Sequence, residues 1–189
     1  MANMRIRQLG DPILRQVASA VAVNQIPSDE INSIIAQMAT ILDGIKAISN
    51  QNGNAISAPQ IGHSVRIIML RIDEELMTLI NPELKVFSDK KFTFEEECFS
   101  FYHLRGVVER YSDVEVDYLD QSGKPITRKF SNDYAALVQH EIDHLDGLFF
   151  IDRISDPALI RSIDFDLYNN ATRLNQVRNM ISYMTGLSS

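Results

Sequence analysis

The chain of 189 residues is poor in several residue types: one cysteine, no tryptophan, eight glycines and six prolines. A single thiol, Cys98, cannot close an internal disulfide, which excludes the disulfide-stapled small scaffolds. With so little glycine and proline the chain is neither collagen-like nor a low-complexity linker. Cations are also short: 18 Lys and Arg stand against 25 Asp and Glu, a net charge of −7. A surface that neutralises phosphates needs clustered cations, so no direct nucleic-acid binding is expected. No apolar run approaches membrane-spanning length, and Met1 to Arg7 lacks the apolar stretch of a secretory signal. A soluble chain with no membrane role is the expectation.

What is present suffices for one core. A hydrophobic content of 45% can close a single domain over residues 1–189 without cross-links. After Pro27 and Ser28, a stripe of Ile31, Ile34, Ile35, Met38, Ile41, Leu42 and Ile45 has helical spacing, and predicts a core-packing helix. Shorter apolar runs follow at Val65 to Leu70, Met77 to Ile80 and Val107 to Arg110. Val114 to Tyr118 alternates strictly, and a turn at Asp120 to Gly123 returns the chain through Pro125 to Phe130 as a hairpin. Residues 157–189 read as a C-terminal helical extension, with a loose stripe of Ala171, Leu174, Val177, Ile181 and Met184 ending at Gly186. That stripe packs or self-associates, giving a monomer or weak homodimer. The fold class expected is α+β, with antiparallel strands around a central helix and further helices at both ends.

The central helix carries the chemistry. His140-Glu141-Ile142-Asp143-His144 puts two imidazoles one turn apart on one face, with a carboxylate beside them. Ser131, Asn132 and Asp133 offer caps before it, and Gly147 stops it. Five residues of this kind also recur by chance, and a helical histidine is more often packed than liganded. A third ligand shifts the balance. Cys98 would complete a Cys-His-His set with one position free for water, which suits a catalytic site better than a closed structural one.

Three stretches stand in order: Gly53-Asn54-Ala55-Ile56-Ser57-Ala58-Pro59-Gln60, Glu96-Glu97-Cys98-Phe99-Ser100 and Gln139 to His144. In order and spacing they resemble the three motifs of the peptide deformylase family, supported by Gly10 to Arg15, Ile80 to Glu83 and Leu145 to Gly147. The match departs from the family pattern at four positions. Ala55 replaces a glycine, Ser57 an alanine, Glu97 a glycine and Phe99 a leucine. A side chain in place of glycine matters where φ is positive or a ligand passes close to the backbone.

The resemblance implies a cytoplasmic hydrolase that removes the N-formyl group from the initiator methionine of new polypeptides. Cys98, His140 and His144 would hold one divalent metal, Fe²⁺ by family precedent, although a thiolate with two imidazoles also accepts Zn²⁺, Ni²⁺ or Co²⁺. Glu141 would take a proton from water and later deliver it to the departing amine. Gln60 and the backbone N–H of Phe99 would steady the formyl oxygen. The N-formylmethionyl peptide would add as a strand beside residues 53–56 and 96–99, meeting Gly53, Ala55, Ile56, Glu96 and Glu97. Phe99, Ile56, Ala136 and Leu137 would line the methionine pocket, and Arg105 would hold the peptide end of the cleft. Transient ribosome contact is implied by the substrate's origin, but the basic residues of the last segment do not support direct docking. Two other readings stay open at this stage. One is a deformylase-like metal-binding protein with weak or lost catalysis, suggested by Ala55 and Glu97; the other is a different metal hydrolase or peptidase sharing the His-Glu-x-x-His pattern.

Overall fold

The computed structural model describes residues 5–163 and 171–186. Helix α1 (Asp29–Ile48) begins where the sequence places it. Ser28 Oγ accepts from Ile31 N–H, and Asp29 and Glu30 lie in the first turn, where the helix dipole favours negative charge. All seven stripe residues from Ile31 to Ile45 are buried. By length and hydropathy alone α1 could cross a bilayer, a test that packed core helices also pass. Its stripe is packed instead against Ile56, Ile67, Met69 and Ile80. Each fully buried aliphatic side chain of this sort stabilises by about 1.5–3 kcal/mol before entropy is counted.

Two antiparallel sheets make up the α+β frame. The first runs in the order β1 (Ala55–Ser57), β2 (Ile67–Ile72), β3 (Glu75–Phe87), β6 (Asp113–Leu119) and β7 (Pro125–Ser131). The second pairs β4 (Lys91–Glu96) with β5 (Leu104–Tyr111) and β8 (Ile160–Ser162). The predicted hairpin is β6–β7, turned by Asp120, whose Oδ1 accepts from the N–H groups of Ser122 and Lys124. Helix α2 (Asp133–Leu145) lies against β1, β2 and β7 of the first sheet and β5 of the second. Ala135, Val138, Ile142 and Leu145 bury one face of α2 on Ile68, Leu70, Val114, Val116 and Phe130. The opposite face, with both histidines, is left for the site.

The structure departs from the sequence reading in four places. Strand β3 does not stop at Asn81-Pro82. It continues through an irregular register in which Asn81 takes φ 52°, and its side chain donates to Val21 O and accepts from Val21 N–H, both at 2.8 Å. The irregularity accommodates Pro82, which has no N–H to give to a ladder. Strand β4 was not predicted, because its Lys-Phe-Thr-Phe-Glu-Glu run is flanked by charge and only its last residue is buried. Helix α2 starts at Asn132, as expected, but through a backbone with φ 52° and no side-chain cap bond. The last helix, α3 (Ala171–Thr185), buries Val177, Met180 and Met184 against the cluster around α1, while Ile181 faces outward. The predicted stripe is thus rotated, with Met180 in the place expected of Ile181, and its apolar face is used within the chain.

Candidate active site

Cys98 ends the stretch that leaves β4 and precedes a short 3-10 turn, Phe99–Phe101. Helix α2 brings His140 and His144 to it from the other side, with ring centroids 4.9 Å apart. One ligand atom from each of Cys98, His140 and His144 lies within 4.8 Å of the others, and Cys98 Sγ is 3.2 Å from His144 Nε2. All three residues are buried. Ligands of one tetrahedral ion at about 2.0–2.3 Å sit roughly 3.3–3.8 Å from one another, so a modest adjustment closes this set on a metal. A thiolate and two imidazoles suit a borderline divalent ion. Of the three buried side-chain atoms without a hydrogen-bond partner among the described residues, Arg105 Nη2 ion-pairs with Glu97 and the other two are His144 Nδ1 and Glu141 Oε2. Such orphans are uncommon in a packed interior, and here they lie in and beside the ligand triad. The residues fit a divalent metal.

The back of the triad is fully bonded. His140 Nδ1 is 2.7 Å from Glu96 Oε2, and Arg110 clasps the same carboxylate through Nε at 2.6 Å and Nη2 at 3.0 Å. Arg110 Nη1 donates to Asp143 Oδ2 at 2.7 Å, and Asp143 is also held by Arg153. Burial opposes ionisation of Glu96, but His140 and Arg110 outweigh it and hold the carboxyl at about 2. An ionised Glu96 only accepts, so His140 Nδ1 carries the proton and Nε2 is the atom for a ligand role. Burial likewise opposes a charge on His140, yet Cys98 and Glu96 hold its pKa well above the imidazole range. Burial and then the charge of His140 hold His144 well below it. A metal takes only deprotonated ligand atoms, so affinity for the ion falls as pH falls.

In front of the triad is a cavity of about 220 Å³. Gly53, Ala55, Gln60, Glu96, Glu97, Cys98, Phe99, Ala136, Leu137, His140 and Glu141 line it, together with Gln51, Asn52, Asn54, Phe94 and Glu95, which the sequence reading did not name. Two named residues are placed elsewhere. Ile56 points into the core on the far side of β1, because successive strand residues face opposite ways. Arg105 is not in the lining; its side chain is 7% exposed, lies over the Tyr102 ring and pairs with Glu97. Glu96 does line the cavity, but both its oxygens are taken by His140 and Arg110. Arg110 and Asp143 were missed. The available signal was an arginine on the inward-facing register of a strand, Val108-Glu109-Arg110, and an aspartate on the buried side of α2.

The glycine substitutions are locally silent. Neither Ala55 nor Glu97 has a positive φ, so neither Cβ strains the backbone. Gly53 does, at φ 80°, and a Cβ there would come within 2.6 Å of Leu42 O. Ser57 is consequential: its N–H at 2.9 Å and its Oγ at 3.0 Å both bond Gln60 Oε1. With Oε1 so occupied, Gln60 Nε2 must face the triad, where it lies 3.5 Å from Cys98 Sγ and 3.3 Å from Ser100 Oγ. Glu141 is 3% exposed. Burial pushes its carboxyl up to about 7, with the charge of Glu96 adding to the rise and His140 and Ser57 opposing it. A carboxylate poised there can both take and return a proton near neutral pH.

Comparison with known proteins bears on this geometry. The family model for polypeptide deformylase matches residues 3–159. Peptide deformylase of a Picosynechococcus species is 35% identical over 164 residues, covering 84% of this chain and 83% of that one. The Endomicrobium trichonymphae deformylase is 36% identical over 159 residues, covering 82% and 89%. Among solved structures, the Met-Ala-Ser-bound class I type b deformylase of Acinetobacter baumannii superposes with a TM-score of 0.72 at 30% identity, covering 80% of this chain and 98% of that one. A plant deformylase gives 0.74 at 27% identity and covers 100% of this chain and 96% of its own.

Proposed function

The chain belongs to the peptide deformylase family, a family of metal-dependent hydrolases, and on that premise we propose how its residues divide the chemistry. Cys98, His140 and His144 hold the divalent metal, Fe²⁺ in the cell, with Zn²⁺, Ni²⁺ or Co²⁺ able to replace it. When bound, that ion supplies Lewis acidity, polarising a carbonyl oxygen and acidifying water. Glu141 accepts the proton of the attacking water and hands it to the nitrogen that leaves as the free amine of methionine. Gln60 Nε2, aimed by Ser57, and the N–H of Phe99 donate to the oxygen on which charge builds. Glu96 and Arg110 hold His140 in one tautomer and one orientation.

The N-formylmethionyl peptide lies extended between residues 53–55 and 96–99, bonding through its main chain. Phe99, Ala136 and Leu137 give the methionine side chain apolar contact, and the peptide beyond it is read less closely. Residues 1–189 act as one domain in the cytoplasm, as a monomer, since α3 uses its apolar face against the cluster around α1. Contact with the ribosome is transient. The observation that carries this reading is the orphaned, buried Glu141 beside a Cys-His-His triad within 4.8 Å. It is tested by formate release from formyl-Met-Ala-Ser with protein reconstituted anaerobically with Fe²⁺. Multiple turnovers are the expected result; none at full metal occupancy would overturn it.

A further inference from the structure

Resting on the deformylase reading, we propose that Glu97 is a specificity-determining residue, which makes the peptide side of the cavity select for basic or neutral residues after the methionine and against acidic ones. Three successive glutamates, Glu95 and Glu96 ending β4 and Glu97 just past it, are each taken by a different arginine. Glu96 meets Arg110 in the interior, both being no more than 3% exposed. Glu95, at the cavity's exposed edge, meets Arg161, both being 45% exposed. All three line the cavity with their cations outside the lining, but Glu97 is the partly exposed one whose cation is buried. Its side chain is 32% exposed and lines the cavity, whereas its partner Arg105 is 7% exposed and outside the lining.

Arg105 is fixed in that rear position. Its Nη1 donates to Tyr102 O at 2.9 Å and Leu104 O at 3.0 Å, and its guanidinium lies 4.7 Å from the Tyr102 ring centroid. A passing peptide therefore meets the carboxylate first and the guanidinium only through it. Among the described residues no lysine or arginine lines the cavity to offset this. Beyond Asn54 and Leu137 the surface continues through exposed Asp73, Glu74 and Asp133, and its one arginine, Arg71, is paired with Asp43. A charge facing a partly exposed carboxylate across about 4–6 Å changes affinity by about three- to tenfold at low salt. The effect weakens as salt shortens the screening length.

The test is calorimetric binding of the metal-loaded protein to tripeptide amides carrying lysine or glutamate at the second or third position: Met-Lys-Ala, Met-Glu-Ala, Met-Ala-Lys and Met-Ala-Glu. Side chains alternate along an extended peptide, so one of the two positions faces Glu97. At that position lysine is expected to bind about three- to tenfold more tightly than glutamate. The ratio should shrink between about 20 mM and about 500 mM salt, and should fall at least about twofold in Glu97→Gln, with Glu95 left to carry the remainder. The double variant Glu97→Gln/Arg105→Met, which strands no buried cation, should give the same fall. Equal affinities at both positions, a ratio unchanged in both variants, or no binding by any peptide would overturn the proposal. Formate release from formyl-Met-Ala-Ser is measured separately. Its absence sinks the hydrolase assignment whatever the binding ratios, and turnover with flat ratios sinks only the charge selection.

Discussion

The two sides of helix α2 are built to opposite rules. Behind the histidines, Glu96, Arg110 and Asp143 bond one another completely and lie no more than 4% exposed. In front, Glu141 lines the cavity, and its Oε2 is buried with no hydrogen-bond partner. A satisfied network fixes geometry and has no capacity left for a ligand. Orphaned atoms in the same low-dielectric interior are a stability penalty that only a metal, water or substrate removes. The back of the helix is thus scaffold and the front is chemistry, and the boundary passes through His140, held at Nδ1 by Glu96 and facing Cys98 on its other side.

The comparison can be broken from either side. Cys98→Ala, on the front, should abolish tight metal binding and turnover together, read by metal analysis after dialysis. Gln60→Ala should keep the metal and lower kcat by about 10²–10³-fold, the usual loss for one donor to a developing oxyanion. Loss of metal instead would move Gln60 to the scaffold side. Arg110→Met, at the back, removes the shared cation of two buried carboxylates, leaving Glu96 only His140 and Asp143 only Arg153, and should destabilise the fold by about 3–5 kcal/mol in denaturant titration. Glu96→Gln weakens the hold on His140 and should reduce metal affinity by about 10–100-fold, with a much smaller change in stability than Arg110→Met. The smallest effect sharpens the contrast: Lys85→Ala, which breaks an exposed ion pair with Glu83 outside the cavity lining, should leave stability nearly unchanged and turnover unchanged.

The front of the helix was legible in the sequence and the back was not. Cys98, His140, Glu141 and His144 are fixed by local rules: two helical positions one turn apart, and a motif of set spacing. Helix α1 and the β6–β7 hairpin follow in the same way from a stripe, a cap and a turn. Arg110 and Asp143 need the packing of β5 against α2, a long-range fact with no local signature. The pairing of Glu97 with Arg105 depends on how the chain turns back between β4 and β5, and it converts a residue expected at the cleft into one standing behind it. Ile56 was misplaced by one step of strand alternation. Strand β4 stayed hidden because its side chains are mostly exposed, so its apolar pattern carries little information.

The most direct test of the account is the metal content and formate-release rate of Glu141→Gln beside the native protein, both loaded with Fe²⁺. Equal metal with a rate lowered by about 10²–10⁴-fold is the predicted result, because the variant keeps the three ligands and loses only the proton carrier. A variant that turns over at the native rate, or that fails to hold metal, would contradict the assignment of Glu141 to chemistry.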